Sequence, residues 1–359
     1  MIDAVHSSLQ ARIREAAAAK SQLIVRGGGT KDFYGMPSVG EVLDTTAYSG
    51  IIDYDPTELV ITARAGTPLS EIERATRDSG QMLACEPPYF GESATLGGVV
   101  AAGLSGPRRA YAGAVRDIVL GVRMLDGKGD DLSFGGRVMK NVAGFDLPRL
   151  MTGALGTLGV LTEISLKCVP RPKIEVTRVL ECPADVAIRT TNEWGGTPLP
   201  VSATCHHGGV LAVRLSGAVP AVEAASKIIG GEVLPGGDAF WKSVREHTHP
   251  YFASASAAGA PLWRLSVKAT TLHTELAGAQ LTEWSGALRW LVANDETDPS
   301  RVRAWAEGNG GHATLFRAQE KSVGAFHPLS ATLLGLHRRL KAAFDPAGIL
   351  NRGRLHPDF

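Results

Sequence analysis

The sequence predicts an α+β fold in two parts, and three observations lead there. At 359 residues the chain exceeds the usual size of one domain. Short strands punctuated by glycine fill the stretch up to Pro172, with fifteen of the 42 glycines between Gly91 and Gly159. From about Lys173 to about Ser322 the glycine loops give way to two strand-and-helix stretches that look roughly parallel to each other. Their order of strand, helix, strand, strand, helix, strand is that of a ferredoxin-like α+β lobe.

The elements follow in order. Val5, Leu9 and Ile13 fall at four-residue intervals in MIDAVHSSLQARIREAAAAK, which predicts a surface helix; with no continuous apolar region the segment does not read as a signal peptide. An apolar strand ending at Arg26 then breaks into Gly27, Gly28 and Gly29. Such a loop can turn successive backbone N–H groups inward as a nest for phosphate oxygens, the alternative being a bare hairpin turn. Ile51–Asp55 and Leu59–Ala65 read as a strand pair around an Asp-Pro-Thr-Glu turn. A helix follows, with Thr67 as N-cap, Pro68 at its first position and Gly80 at its end. Asp117–Gly136 forms a hairpin around Asp126-Gly127-Lys128-Gly129. Leu161–Pro172 alternates as a strand and stops at two prolines, the first boundary. In the second lobe Val210–Gly217 precedes a helix over Pro220–Ile229, and Pro261–Thr271 precedes a segment leading to Gly286–Ala293. The last segment carries Leu333, Leu336, Leu340 and Phe344 on one helical face and ends at Asp345-Pro346.

Composition excludes several classes. Lys+Arg 37 against Asp+Glu 36 gives a net charge of +1 with 6% aromatics and no basic block, which speaks against nucleic acid. Cys85, Cys168, Cys182 and Cys205 are scattered, with no C-x-x-C pair for zinc or an iron–sulfur cluster and no disulfide framework. A reduced cytoplasmic setting fits best. The longest weakly polar stretch, Leu96–Leu104, is too short to span a bilayer, so any membrane association would come through a partner. No G-x-G-x-x-G or P-loop occurs, which disfavours a Rossmann nucleotide site and an ATPase.

What does occur is RGGGTK, then ATLGG, then KNVAGFDLPRL and GTLGVLTE, and finally FDPAGILNRGR. The combination resembles the vanillyl-alcohol-oxidase (PCMH-type) FAD-binding superfamily, and within it the FAD-binding subunits of bacterial glycolate oxidase (glycolate dehydrogenase) complexes. The resemblance implies a PCMH-type FAD-binding domain over 1–172, a cap or substrate lobe over 173–322, and a C-terminal helix and tail over 323–359 that returns to the FAD domain. It assigns Arg26, Gly27, Gly28, Gly29, Thr30 and Lys31 to the FAD pyrophosphate. Thr95, Leu96, Gly97 and Gly98 become a second cradling loop, with Gly103, Ser105 and Gly106 along the isoalloxazine. Gly159, Val160 and Leu161 lie against adenine and ribose, and Asn351, Gly353 and Arg354 return to the flavin ring, where a positive group raises the flavin potential. Members with covalent flavin commonly carry His after the first glycines; here Thr30 stands there, so the FAD is expected to be non-covalent.

Oxidising a 2-hydroxy acid needs a base at the hydroxyl and a cationic clamp on the carboxylate. The catalytic flavoprotein partner in such complexes carries H-x-G-D-G-N-x-H, whereas this chain has only GNGGHATLFR (Gly308–Arg317). His312 and Arg317 are the candidate base and clamp; the alternative is a plain turn leading into a strand. His206-His207 and His247-x-His249 lack a carboxylate or third His in register, so no metal is expected. Arg108-Arg109 reads as a partner-facing or phosphate-facing pair, or as a solvated one. The implied partners are a catalytic FAD subunit and an iron–sulfur subunit, with glycolate oxidised to glyoxylate and electrons passed to a quinone. A self-sufficient FAD oxidoreductase and a non-catalytic flavin scaffold are the two rival readings.

Overall fold

A computed structural model describes residues 2–136, 145–273 and 276–359. Lys140–Gly144 of the KNVAGFDLPRL motif lie outside the described residues. The chain divides into two compact units, one built from 1–104, 114–171 and 328–359, the other from 105–113 and 172–327.

The first unit opens with α1 (Ile2–Ala19), which buries Leu9, Ile13 and Ala16 against Leu23, Leu43, Leu125 and Val160. The four-residue spacing of its apolar positions thus marks a core-facing stripe. β1 (Leu23–Arg26) and β2 (Glu41–Asp44) pair in parallel. β3 (Ile51–Asp55) and β4 (Val60–Arg64) form the expected antiparallel pair. The following helix, α2 (Leu69–Asp78), is entered through Pro68 and left at Ser79, one residue before Gly80. Thr67 is not its N-cap. Its hydroxyl accepts from Gly50 N at 2.9 Å and its carbonyl from Leu96 N at 2.9 Å, so the side chain is committed to a neighbouring turn.

β5 (Gln81–Met82) leads to α3 (Leu96–Ala102), where Thr95 Oγ1 accepts from Gly98 N at 3.2 Å and Gly103 closes the helix with a left-handed φ of 64°. The short α4 (Arg109–Ala112) belongs to the second unit. α5 (Val115–Ile118), β6 (Val119–Leu125), β7 (Asp131–Gly135), α6 (Leu147–Met151), β8 (Val160–Lys167) and β9 (Val169–Pro170) complete this stretch. The main sheet has the antiparallel order β3-β4-β8-β6-β7. β8 is buried on both faces, Val160 toward α1 and Leu161, Ile164 and Leu166 among the side chains of α2 and α3.

The second unit runs β10 (Ile174–Glu181), α7 (Ala184–Gly195), β11 (Val201–His207), β12 (Val210–Gly217), α8 (Val219–Ile229) and β13 (Glu232–Val233). Next come α9 (Gly237–Glu246), α10 (Pro250–Ala257), β14 (Leu262–Ser266), β15 (Ala279–Glu283), β16 (Leu288–Val292), α11 (Pro299–Gly308) and β17 (His312–Arg317). All eight strands join one antiparallel sheet, β13-β10-β12-β11-β15-β16-β14-β17. The half β13-β10-β12-β11 is by itself the ferredoxin-like arrangement. A second four-stranded half is fused to it through Cys205↔Glu283 and His206↔Thr282, which covers what would be an open edge. The sequence pattern, spread over both halves, had read as a single such lobe.

α12 (Ala331–Phe344) returns the chain to the first unit and ends at Asp345, as expected. Of its apolar face, Leu340 and Phe344 pack partly on the core, while Leu333 and Leu336 stay 48% and 43% exposed. The helix docks through its last turn, where Lys341 is its one buried side chain. Among the described residues no helix is long and apolar enough to cross a membrane.

A glycine-lined cleft as candidate functional site

The first unit contains a cleft lined by the first glycine loop. β1 delivers the chain to its edge, and the strand stops where Gly27, Gly28 and Gly29 begin. These glycines serve different ends. A Cβ at Gly28 would lie 1.5 Å from the Ser93 carbonyl oxygen, and one at Gly27 would lie 2.4 Å from Thr95 Oγ1. Both are small because the loop lies directly on Ser93–Thr95, a contact that Ser93 Oγ closes by donating to Gly28 O at 2.7 Å. Gly29 is needed for its left-handed φ of 72°.

Among the described residues, no protein acceptor takes the amide N–H of Gly27, Gly28, Gly29 or Thr30, although all four are half-buried. Successive unclaimed donors at a cleft wall are what an anion needs. Arg26 and Arg354 add positive charge. Arg26 pairs with Asp32 at 2.7 Å. Arg354 donates to the carbonyls of Lys31 and Asp32 at 3.2 and 3.3 Å, and burial lowers its pKa. Lys31 is more committed than its sequence context suggests: it is buried, with Nζ donating to Tyr89 O at 3.1 Å and Thr30 Oγ1 at 3.3 Å.

The second loop contributes shape. Leu96 N, Gly97 N and Gly98 N donate to Thr67 O, Ala65 O and Thr95 Oγ1, so these amides are spent within the protein. Gly97 and Gly98 still line the cleft with Thr95, and a Cβ at Gly97 would sit 2.8 Å from that of Ala65. Opposite them, Gly159 and Leu161 line the wall, with Gly159 backed by Met124.

From the C-terminal tail, Asn351 lines the cleft and ties it together. Its Oδ1 accepts from Val25 N at 2.7 Å, its Nδ2 donates to Leu155 O at 2.6 Å, and its own N–H donates to Leu23 O. Arg354 and Asn351 therefore meet the first glycine loop and β1, the side of the cleft that carries the anion donors.

Other expected site residues do not line it. Leu96 and Val160 are core side chains, Gly103 abuts Gly153, and Gly353 bonds Phe359 O. Ser105 and Gly106 belong to the second unit, where Gly106 O accepts from Trp284 Nε1 at 3.1 Å. Three lining features were missed: Asp32, which pairs with Arg26, the wall of Met151, Ala154 and Leu155, and Gly156, where a Cβ would lie 2.7 Å from Asn351 Nδ2. Gly156 lies inside the GALGTLG run, so its signal was present.

The second unit holds the remaining candidates. His312 opens β17 and is exposed; crowding by protein atoms, then the charges of Arg264, His327 and Arg109, lower its pKa. Arg317 closes the same strand and is half-buried. The histidine pairs are spent on structure: His206 bonds Cys182 O at 2.9 Å, His247 stacks on Phe252, and His249 caps α10 by accepting from Tyr251 N. Arg108 is not the solvated residue that its sequence context suggests. It is buried, with Nη2 2.5 Å from Glu175 Oε1, while Arg109 lies 4.5 Å over the Trp284 ring.

A two-unit α+β chain with unclaimed amides, flanking guanidinium groups and a glycine-smoothed floor defines a protein that binds a pyrophosphate-bearing cofactor, and the donor set fits FAD. Residues 5–135 match an FAD binding domain, and residues 327–355 match the C-terminal domain of FAD linked oxidases. The chain is 46% identical over 351 residues to the glycolate oxidase subunit GlcE of Escherichia coli, covering 98% of this chain and 97% of that one. It is 33% identical over 157 residues to the glycolate oxidase subunit GlcD of Bacillus subtilis, covering 43% of this chain and 33% of that one. The solved alkyldihydroxyacetonephosphate synthase shares the fold, with a TM-score of 0.64 at 14% identity over 96% of this chain and 74% of that one. The chain belongs to the GlcE family of FAD-linked oxidases. It is an FAD-binding oxidoreductase of a family whose members work as subunits.

Proposed function

We propose that this chain is the FAD-carrying subunit of a complex that oxidises glycolate to glyoxylate, beside a catalytic flavoprotein, and sends the electrons through an iron–sulfur subunit to a membrane quinone. The observation that carries this reading is the near full-length identity to a glycolate oxidase subunit, together with a cleft whose free amides suit the cofactor.

FAD, when bound, supplies a ring that accepts two electrons from a CH–OH group. The protein's part is to hold it. The amides of Gly27–Thr30, with Arg26 and Arg354, neutralise the pyrophosphate; Thr95, Gly97 and Gly98 let the cofactor approach the backbone; Gly159 and Leu161 bound the adenosine. Onward transfer falls to other chains. The four cysteines are free, burial pushes Cys168 up to about 12, and no metal-binding cluster of His, Cys, Asp or Glu occurs among the described residues. Membrane contact, on this reading, is made by the partners.

Coexpression with the two partner subunits tests the proposal. The expected result is a three-chain complex whose flavin absorbance bleaches on anaerobic addition of glycolate. Failure of the chain to enter any complex overturns the subunit reading; full bleaching of the isolated chain within seconds, lost in His312→Ala, would favour the self-sufficient oxidoreductase instead.

A further inference from the structure

β1 is held along both of its edges. Gln22 and Arg26 turn their carbonyls to β2, accepting from Glu41 N at 2.9 Å and Thr45 N at 3.0 Å. Leu23 faces the C-terminal tail instead: its N–H donates to Ile349 O at 2.8 Å, and its carbonyl accepts from Asn351 N at 3.0 Å. There the tail backbone turns away, with Arg354 N donating back to Asn351 O at 3.1 Å. The following rung is made by a side chain. Val25 N donates to Asn351 Oδ1 at 2.7 Å, and the next N–H on this edge belongs to Gly27, the first of the unclaimed amides in the cleft.

The other end of the Asn351 amide is committed as well. Its Nδ2 donates to Leu155 O at 2.6 Å, and both residues take a left-handed φ, 41° at Asn351 and 50° at Leu155. Such a φ is harder on a leucine than on an asparagine, and it persists where the surroundings over-determine it. Here each residue holds the other. Gly156 leaves the room, since a Cβ there would lie 2.7 Å from Asn351 Nδ2 and 3.2 Å from Val25 Cβ.

These bonds define what the residue can do. Asn351 is buried, and its side chain is spent as a bracket between the strand before the glycine loop, the GALGTLG turn and the tail. An anion nest works when its N–H groups point at one place, and three successive glycines have little stiffness of their own to keep them so. The aim of the loop is therefore set by the last fixed rung before it, which is Val25 N.

We propose that Asn351 is a positioning residue for the cofactor's pyrophosphate: through Val25 it aims the amides of Gly27–Thr30, and it does not itself touch the flavin. This rests on the cleft's holding FAD, and it moves Asn351 from the flavin ring, where the family resemblance puts it, to the support of the phosphate loop.

The test is a titration of the flavin-free, full-length chain with FAD, read as quenching of flavin fluorescence, with ADP as a competing probe that carries the pyrophosphate and lacks the flavin. Asn351→Gly keeps the left-handed turn accessible and removes the amide, so FAD and ADP should both weaken by about tenfold or more, and by the same factor. Asn351→Asp keeps the acceptor for Val25 N but sets an anionic oxygen against Leu155 O. Burial raises the pKa of the introduced carboxyl. Relative to wild type at the same pH, FAD affinity of this variant should be weak at about pH 8 and recover toward about pH 5, as the carboxyl gains a proton it can donate to Leu155 O. Urea midpoints of the flavin-free chains separate aim from stability, because a variant that is fully folded under the titration conditions and still binds weakly has lost positioning. Wild-type affinity in Asn351→Gly overturns the proposal. So does a loss confined to FAD with ADP unaffected, which would put Asn351 at the flavin ring. Should Asn351→Gly fail to fold, the Asn351→Asp profile decides, and a loss that acid does not reverse overturns the proposal. A wild-type chain that binds neither FAD nor ADP is a distinct failure, in which the cleft falls as a cofactor site and takes this role of Asn351 with it.

Discussion

Lys341 and Asp345, one helical turn apart at the end of α12, form a buried ion pair with Nζ 2.7 Å from Oδ2. Lys341 Nζ also donates to Thr157 O at 2.8 Å and Leu350 O at 2.7 Å, while the Asp345 carboxylate accepts from Ile349 N and Leu350 N. Burial lowers the Lys341 pKa and the facing carboxylate opposes that shift. The pair anchors the tail that carries Asn351 and Arg354 into the cleft. Lys341→Met would leave Asp345 buried without its cation, at about 3–5 kcal/mol. A urea midpoint well below wild type, with weakened flavin retention, is expected; an unchanged midpoint would show that the pair does not hold the tail.

Gly28→Val should abolish flavin retention. The cause is not a Cβ in the space of the phosphate oxygens but one driven into the Ser93 carbonyl, 1.5 Å away, which forces the loop off its support. Overpacking of this kind costs about 1–3 kcal/mol or more. Gly97→Ala is the milder case, since its Cβ meets that of Ala65 at 2.8 Å. Absorbance of the purified variants at the flavin band should rank wild type, Gly97→Ala, Gly28→Val; stoichiometric FAD on Gly28→Val would mean the loop does not carry the cofactor.

The FAD should leave the protein intact on acid precipitation. Thr30 follows the three glycines, and no His, Cys or Tyr lines the cleft among the described residues. Yellow supernatant is the expected outcome, and flavin retained by the pellet the contrary one.

Acid should destabilise the second unit through His247. It stacks on Phe252 with ring centroids 4.0 Å apart, and burial first, then the charges of Arg317 and Arg264, push its pKa well below 6.5. The unfolded chain therefore takes up the proton before the folded one does. The stabilisation from neutral His247 is complete above about pH 6.5 and is lost as pH falls below it. Melting temperature should drop on acidification, and His247→Phe should flatten the fall without removing it, because His206, His249 and His312 shift in the same direction. Identical pH profiles for the two proteins would contradict this assignment.

What could be read from the sequence was what nearby residues decide. The strand ending at Arg26, the hairpin around Asp126–Gly129 and the helix stopping at Asp345 all follow from alternation, turn chemistry and capping within a few residues. The glycine clusters marked the cleft for the same reason. The rest depends on partners far along the chain. Asn351 hooks β1 across 326 residues, and Arg108 looks solvated until Glu175, 67 residues on, neutralises it. Thr67 has every local mark of a cap and is taken instead by Gly50. The doubling of the ferredoxin-like half was hidden because its seam is only two residue pairs long.

The segment 105–113 sets a schedule for synthesis. Gly106 emerges from the ribosome with the first unit's sequence on both sides, yet the indole that bonds its carbonyl comes 178 residues later. At about 5–20 residues per second that is a wait of roughly 10–35 s. During this interval Arg108 lacks Glu175 for the first part and Arg109 lacks Trp284 throughout. A fragment that begins at Pro172 lacks Gly106, Arg108 and Arg109, and with them the contacts they make to Trp284 and Glu175 within the second unit.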